Sequence, residues 1–306
     1  MITTLFGKSK PINFLILGFV LSVVFMASQR RYSDIGGFSF FIDNFFLGLL
    51  LFFCVWLLSF IVYKNKLSQS NHYALFFFTC FLIGALRLPT DSDTVFSLVF
   101  VTLALRRILA LRSNIDVRQK VFDASFWLTV AMLFNFWTIL FVILLYVALL
   151  YFIGYPSRIW FIPFVAFFSA MFPVFAYCYV FDGMDRFIDF FRQNSMMFMG
   201  IKIDSPDFVF LIISLLIALF SMYFYLRKLK LKAANQKKTR ELIIFGFLLS
   251  LLIYLFSNEA HPDSVLLTIP FLSVISVTFA EDFRKKTLLE IYLLFLLGGM
   301  VALHFW

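Results

Sequence analysis

Residues 121–153 read VFDASFWLTVAMLFNFWTILFVILLYVALLYFI. The stretch is apolar almost throughout, and it is too long for one ordinary membrane span, which takes about 20 residues and at most about 25. Asn135 sits near its middle. A carboxamide in hydrocarbon needs a hydrogen-bonding partner. A helix break at that residue, with the chain doubling back, is the simplest solution. It gives an antiparallel pair, Val121–Phe134 and Phe136–Ile153. The choice governs everything downstream, because one helix fewer would invert every later loop.

Working outward, comparable apolar runs fill the chain. Before the pair lie Ile12–Ser28, Phe40–Tyr63, Tyr73–Leu86 and Thr94–Leu105; after it come Ile159–Phe181, Phe208–Leu226, Leu242–Ser257, Val265–Ala280 and Leu288–Trp306. The expected fold is all-α, a polytopic transmembrane bundle of about eleven spans forming a single domain over residues 1–306. Composition agrees. Hydrophobic residues make up 62% and charged residues 14% of 306 positions, against about 45–50% and about 25% in soluble domains. The 47 Phe residues read as lipid-facing and interhelical filler, and lipid is the first partner the sequence implies.

Charge sets the orientation. With the N-terminus in the cytoplasm and the C-terminus outside, 20 of the 26 basic residues fall on the inner side and 6 on the outer, as the positive-inside rule demands. Eleven acids fall outside and six inside. The net charge of +9 is therefore a topology signal, and no nucleic-acid partner is expected. The basic cytoplasmic loop at 227–241 belongs to this signal. The first run is an anchor rather than a cleaved leader, because Gln29-Arg30-Arg31-Tyr32 is a poor cleavage context. On the outer side, residues 182–199 place Met184, Phe187, Ile188, Phe191 and Phe198 at helical spacing among Asp185, Asp189 and Arg192, the pattern of a surface-lying amphipathic helix.

Several chemistries are excluded. No Gly-rich phosphate loop, G-x-S-x-G or H-E-x-x-H motif occurs. His72, His261 and His304 fall on different loops or ends, so no metal site is expected, and no cofactor is implied. Cys54, Cys80 and Cys178 each sit inside an apolar run and read as inert thiols without a disulfide framework. What remains is a set of polar groups on three short outer loops. Asp34, Asp91 and Glu259 are the candidate general bases. Arg30, Arg31 and Arg87 are suited to grip a lipid-linked phosphate. Asp93, His261 and Asp263 complete the outer polar set. Within the spans, Asn135 reads as a turn residue, and Asp123 and Glu290 as inner-end acids that meet water or cytoplasmic bases.

Particular stretches resemble a known pattern. Val121–Leu128 (VFDASFWL) followed by Met132–Trp137 (MLFNFW), the opening Met1–Asn13 (MITTLFGKSKPIN), and Asn258–His261 followed by Ile269–Leu272 (IPFL) resemble a domain-of-unknown-function family of polytopic inner-membrane proteins from Bacteroidota. That resemblance runs the length of the chain and implies a bacterial inner-membrane location. A looser resemblance is to multi-span glycosyltransferases that use polyprenyl-phosphate sugars. They place a carboxylate in the first outer loop, as Asp34 is here, above a polar outer cavity. The chain lacks their paired Asp-Glu in that loop and their large soluble tail domain. This likeness implies a polyprenyl-phosphate lipid as partner and transfer at the outer face. The alternative is a non-catalytic scaffold or transport component whose partners are other envelope membrane proteins.

Overall fold

The computed structural model describes residues 6, 11–32, 38–69, 71–86, 91–154, 157–182, 184–196, 206–229, 234–257, 262–283 and 285–305. Among them every regular element is helical. Helix α1 spans Pro11–Tyr32, α2 Phe38–Lys64, α3 Tyr73–Ala85, α4 Ser92–Ala110, α5 Val117–Phe134 and α6 Phe141–Phe152. After a single turn at Ser157–Trp160 come α7 (Ile162–Tyr177), α8 (Met184–Met196), α9 (Pro206–Leu229), α10 (Ala234–Phe256), α11 (Ile269–Asp282) and α12 (Lys286–Phe305). Five helical stretches among the described residues are long and apolar enough to cross a membrane: Ile42–Lys64, Ser92–Ser113, Arg158–Phe181, Gln236–Phe256 and Ser264–Asp282.

The stretch at 121–153 is two helices. Asn135 ends α5 in an extended conformation (φ −137°, ψ 105°). Its carbonyl accepts from the backbone N–H of Thr138 at 3.0 Å and from Thr138 Oγ1 at 2.8 Å. A 3₁₀ segment, Phe136–Leu140, leads into α6. Helix α6 returns to the end where α5 began, because it packs against the 111–113 turn that precedes α5. It closes with the backbone N–H groups of Ile153 and Gly154 both on the Leu149 carbonyl (2.9 and 3.1 Å). Gly154 there takes φ +82°, a left-handed value that suits glycine at a helix C-terminus.

The centre of the bundle is a pair of enclosed helices. All thirteen residues of α3 are buried, and so is every residue of α11 from Ile269 to Ala280. Helix α11 packs on α3, α9 and α10, while α1, α2 and α12 close the remaining sides of α3. Helix α4 joins this centre through α2 and carries α5, which in turn carries α7. At about 20 Å, α3 is shorter than the roughly 30 Å hydrocarbon layer. Its ends are covered by neighbouring protein, so its terminal backbone groups need not face lipid. In α11 the hydroxyls of Ser273 and Thr278 bond back to the carbonyls three residues earlier, both at 2.8 Å, which satisfies polar atoms in an apolar interior. Pro270 is tolerated because it stands in the first turn of the helix.

The basic stretch expected as a loop is largely helical where described. Helix α9 runs to Leu229 and α10 begins at Ala234. Lys, Arg and Gln are good helix formers, so the described parts of the stretch extend the flanking helices. Similarly, the short run Thr94–Leu105 is completed by its polar flanks, Ser92 and Asp93 before it and Arg106 and Arg107 after it.

Candidate functional site

Among the described residues, the densest polar structure lies at the end of the bundle where Arg107, Arg112, Lys120, Lys238 and Arg240 gather. It begins where α2 stops. Asn65 Nδ2 donates to the Ile61 carbonyl at 2.9 Å. The backbone N–H of Leu67 reaches back to Val62 O (3.1 Å) and that of Lys66 to Tyr63 O (3.2 Å). Lys66 sits at φ +52°, holding the position that glycine normally takes in this terminator. The linker that follows crosses the end of the bundle to α3 and is tied on both sides.

One tie is Glu281, in the last turn of α11. Its Oε1 accepts from Ser68 Oγ (2.8 Å), the Gln69 backbone N–H (2.7 Å) and Asn71 Nδ2 (2.9 Å). Bonds to a carboxylate are shorter and stronger than neutral ones. Ser68 has one proton to give, and Asn71 Oδ1, at 2.8 Å, is its other side-chain acceptor. The His72 backbone N–H adds the N-terminal segment by donating to Phe6 O at 2.9 Å.

The other tie is Arg240, in α10, which is buried at 3% exposure. Its Nη2 donates to Leu67 O at 2.9 Å. The guanidinium lies 5.2 Å from the ring centroid of Tyr225, which is fully buried. Tyr225 Oη returns a hydrogen bond to the Arg240 carbonyl at 3.2 Å. The aromatic face and the carbonyl together replace water around the charge. Arg240 Nη1 meets no acceptor among the described residues.

Other basic chains hold the exposed carbonyls at helix ends, where a cation also answers the negative pole of the helix dipole. Lys238 Nζ donates to Tyr151 O at 2.6 Å, and Arg112 Nη1 to Asn65 O at 3.3 Å. Lys120 Nζ donates to Ala110 O at 3.1 Å and to Ser113 Oγ at 2.6 Å. Arg107 pairs with Asp123 at 2.9 Å, so Asp123 meets a base as its position implied. These contacts put Phe6, residues 65–69 and 71–72, the turn 110–120, Tyr151, Tyr225, Lys238, Arg240 and Glu281 at one end of the bundle. All of them belong to segments that the charge count places on the inner side.

The outer-loop candidates are distributed as follows. Asp34, Arg87, Glu259 and His261 lie outside the described residues. Arg30 and Arg31 are in the last turn of α1. Asp91 immediately precedes α4 and Asp93 is in its first turn; both are exposed. Asp263 is in the 3₁₀ segment Pro262–Thr268, which packs against α3, α4 and α10. Sequence reasoning did not find the ties at Glu281 and Arg240. Their partners are 213 and 173 residues away, and no local pattern encodes a contact at that separation. The three cysteines are free thiols, with Cys54 and Cys80 buried.

A family model described as a family of unknown function, DUF6427, matches residues 1–306. The chain belongs to that family. The match runs over the whole of this sequence, in line with a resemblance that runs from the opening segment to Ile269–Leu272. No curated protein and no solved structure matches the chain.

Proposed function

We propose that this DUF6427 protein is a multi-pass protein of the bacterial inner membrane, with eleven spans, a cytoplasmic N-terminus and an external C-terminus. On this reading it is a rigid, non-catalytic component of a cell-envelope assembly. Five helices of spanning length and the skewed distribution of bases support the membrane assignment. One observation carries the scaffold reading: the 65–72 linker is bound from two directions by α10 and α11, which fastens the early and late parts of the chain into one body. A hydrogen-bonded polar network of this kind rigidifies what it joins.

Helix α8 is the docking element under this topology. Phe190 and Phe191 pack edge-on against Phe136 at 6.2 Å, while Ile188 is 54% exposed. Purification from native membranes in a mild detergent tests the reading. A defined larger assembly that Ile188→Glu releases, without lowering the amount of inserted protein, supports it; a lone monomer counts against it. A C-terminal reporter active only outside the cytoplasm tests the topology.

A second reading, lipid-phosphate-dependent glycosyl transfer at the outer face, is favoured by the exposure of Asp91 and Asp93 at the head of a helix that packs on the segment carrying Asp263. It makes Asp34, Asp91 or Glu259 the base toward an acceptor hydroxyl, with Arg30, Arg31 or Arg87 on the phosphate of a polyprenyl donor. Full complementation by normally inserted Asp34→Asn and Arg87→Ala proteins would remove it.

A further inference from the structure

Beside the clasp that Glu281 and Arg240 close on the 65–72 linker, the ends of α2 and α4, the 111–113 turn and the start of α5 enclose a cavity of about 140 Å³. That is the room of roughly four or five water molecules. Its wall carries five bases: Lys64, Arg106, Arg107, Arg112 and Lys120. Three of them have evident structural work. Arg112 and Lys120 hold helix-end carbonyls, and Arg107 is paired with Asp123. Asp116 lies close enough to Lys120 to act on its charge, and burial together with Lys64 and Arg107 pulls the Lys120 ammonium below its usual range.

Lys64 and Arg106 are different. Among the described residues neither is paired with a carboxylate. Each instead lies over the Phe60 ring, at 5.3 and 4.5 Å from its centroid. An aromatic face orients a cation and leaves its N–H donors unspent. The same wall includes the apolar Phe60, Ile61 and Leu109, which lowers the local dielectric and strengthens any ion contact made there.

The geometry points to an oxyanion site in this cavity, taking the phosphate of an anionic lipid headgroup. Lys64 and Arg106 are the ligand-binding cations, and Arg107 contributes whatever donors Asp123 leaves. Guanidinium groups match phosphate oxygens in planar pairs, and the cavity stands at the end of two helices of spanning length, where a headgroup meets the protein. Free inorganic phosphate presents the same oxygens, so the test must separate the two sources. The site lies on the opposite end of the bundle from Arg30 and Arg31, and it rests on the membrane assignment above but on neither the scaffold nor the transferase reading.

The test uses the full-length protein in phosphatidylcholine nanodiscs doped with phosphatidic acid, read by retention of the anionic lipid in native mass spectrometry. The paired change Lys64→Gln and Arg106→Gln is expected to weaken retention roughly thirtyfold, from about a fivefold loss per base near a membrane surface. Lys285→Gln with Lys286→Gln, two exposed bases at another helix start, is expected to leave it unchanged. Added inorganic phosphate that displaces the lipid from the wild-type protein would identify free phosphate as a competing ligand; failure to displace it assigns the site to lipid. Equal losses in both variants, or none in the first, overturn the proposal. Should the first variant not purify as a monodisperse protein, a photoactivatable phosphatidic acid on the wild type decides. Labelling of peptides covering 60–66 and 106–120 supports the site, and labelling confined elsewhere overturns it.

Discussion

Helix α3 (YALFFFTCFLIGA) buries every side chain, whereas α7 (IPFVAFFSAMFPVFAY) turns Phe164, Phe168 and Phe172 outward at 58%, 67% and 70% exposure. Both are Phe-rich and strongly apolar. In water that would force both inside; in lipid it forces neither, because acyl chains are as apolar as a protein core. Small residues make the difference. In α7 they fall on one strip, with Pro163, Ala166 and Ala170 buried, and that strip is where α5 approaches. In α3, Ala74, Thr79, Cys80, Gly84 and Ala85 are spread around the helix, so neighbours come close on every side.

This contrast can be broken by substitution, with thermal unfolding in detergent as the common measurement. Phe77 is fully buried and touches Phe76, Phe81 and Tyr292. Phe77→Ala is expected to cost about 3–5 kcal/mol, the usual range for a buried aromatic. Glu281→Ala removes the acceptor of three donors at the end of the enclosed pair and is expected to cost about 2 kcal/mol. Ala166→Leu puts a branched chain into the α5–α7 contact and is expected to cost about 1 kcal/mol by overpacking. The lipid-facing Phe168→Ala is expected to fall within about 0.5 kcal/mol. If Phe77→Ala and Phe168→Ala were equally costly, the division between enclosed and lipid-facing helices would be wrong.

The smallest sharpening comes from pH, at the entrance to α3. Burial holds the His72 imidazole below its usual 6.5, and its Nδ1 has no partner among the described residues. Between the folded value and 6.5 the unfolded chain binds more protons than the native one, so stability rises with pH across that window. The contribution is fully present above about pH 6.5 and is lost as the pH falls below it. His72→Gln is expected to flatten this slope in the melting temperature; an unchanged slope would assign it to other groups.

Much of the fold was legible locally. Each apolar run coincides with a helix, and Asn135 marked its break because a carboxamide near mid-run has few other uses. The boundaries drifted where polar helix formers extended a span, as at Ser92–Ala110 and Ala234–Phe256. Hydropathy could not tell α3 from α7, since it measures transfer from water while helix association in lipid depends on close approach. The outer-loop candidates were chosen from loop chemistry alone, and Asp34, Arg87, Glu259 and His261 lie where the structure gives no geometry. The clasp on the 65–72 linker escaped notice for the opposite reason: its chemistry is ordinary and only its three-dimensional arrangement is informative.

That clasp also sets a clock. Ser68 meets Glu281 across 213 residues, so a chain emerging from the ribosome at about 5–20 residues per second leaves the 65–72 linker waiting roughly 10–40 seconds for its partner. During that interval α3 is already made, while α11, the enclosed helix that packs on it, is not. The two most enclosed helices therefore meet near the end of synthesis, and a chain truncated before residue 281 would hold its 65–72 linker from the Arg240 side alone.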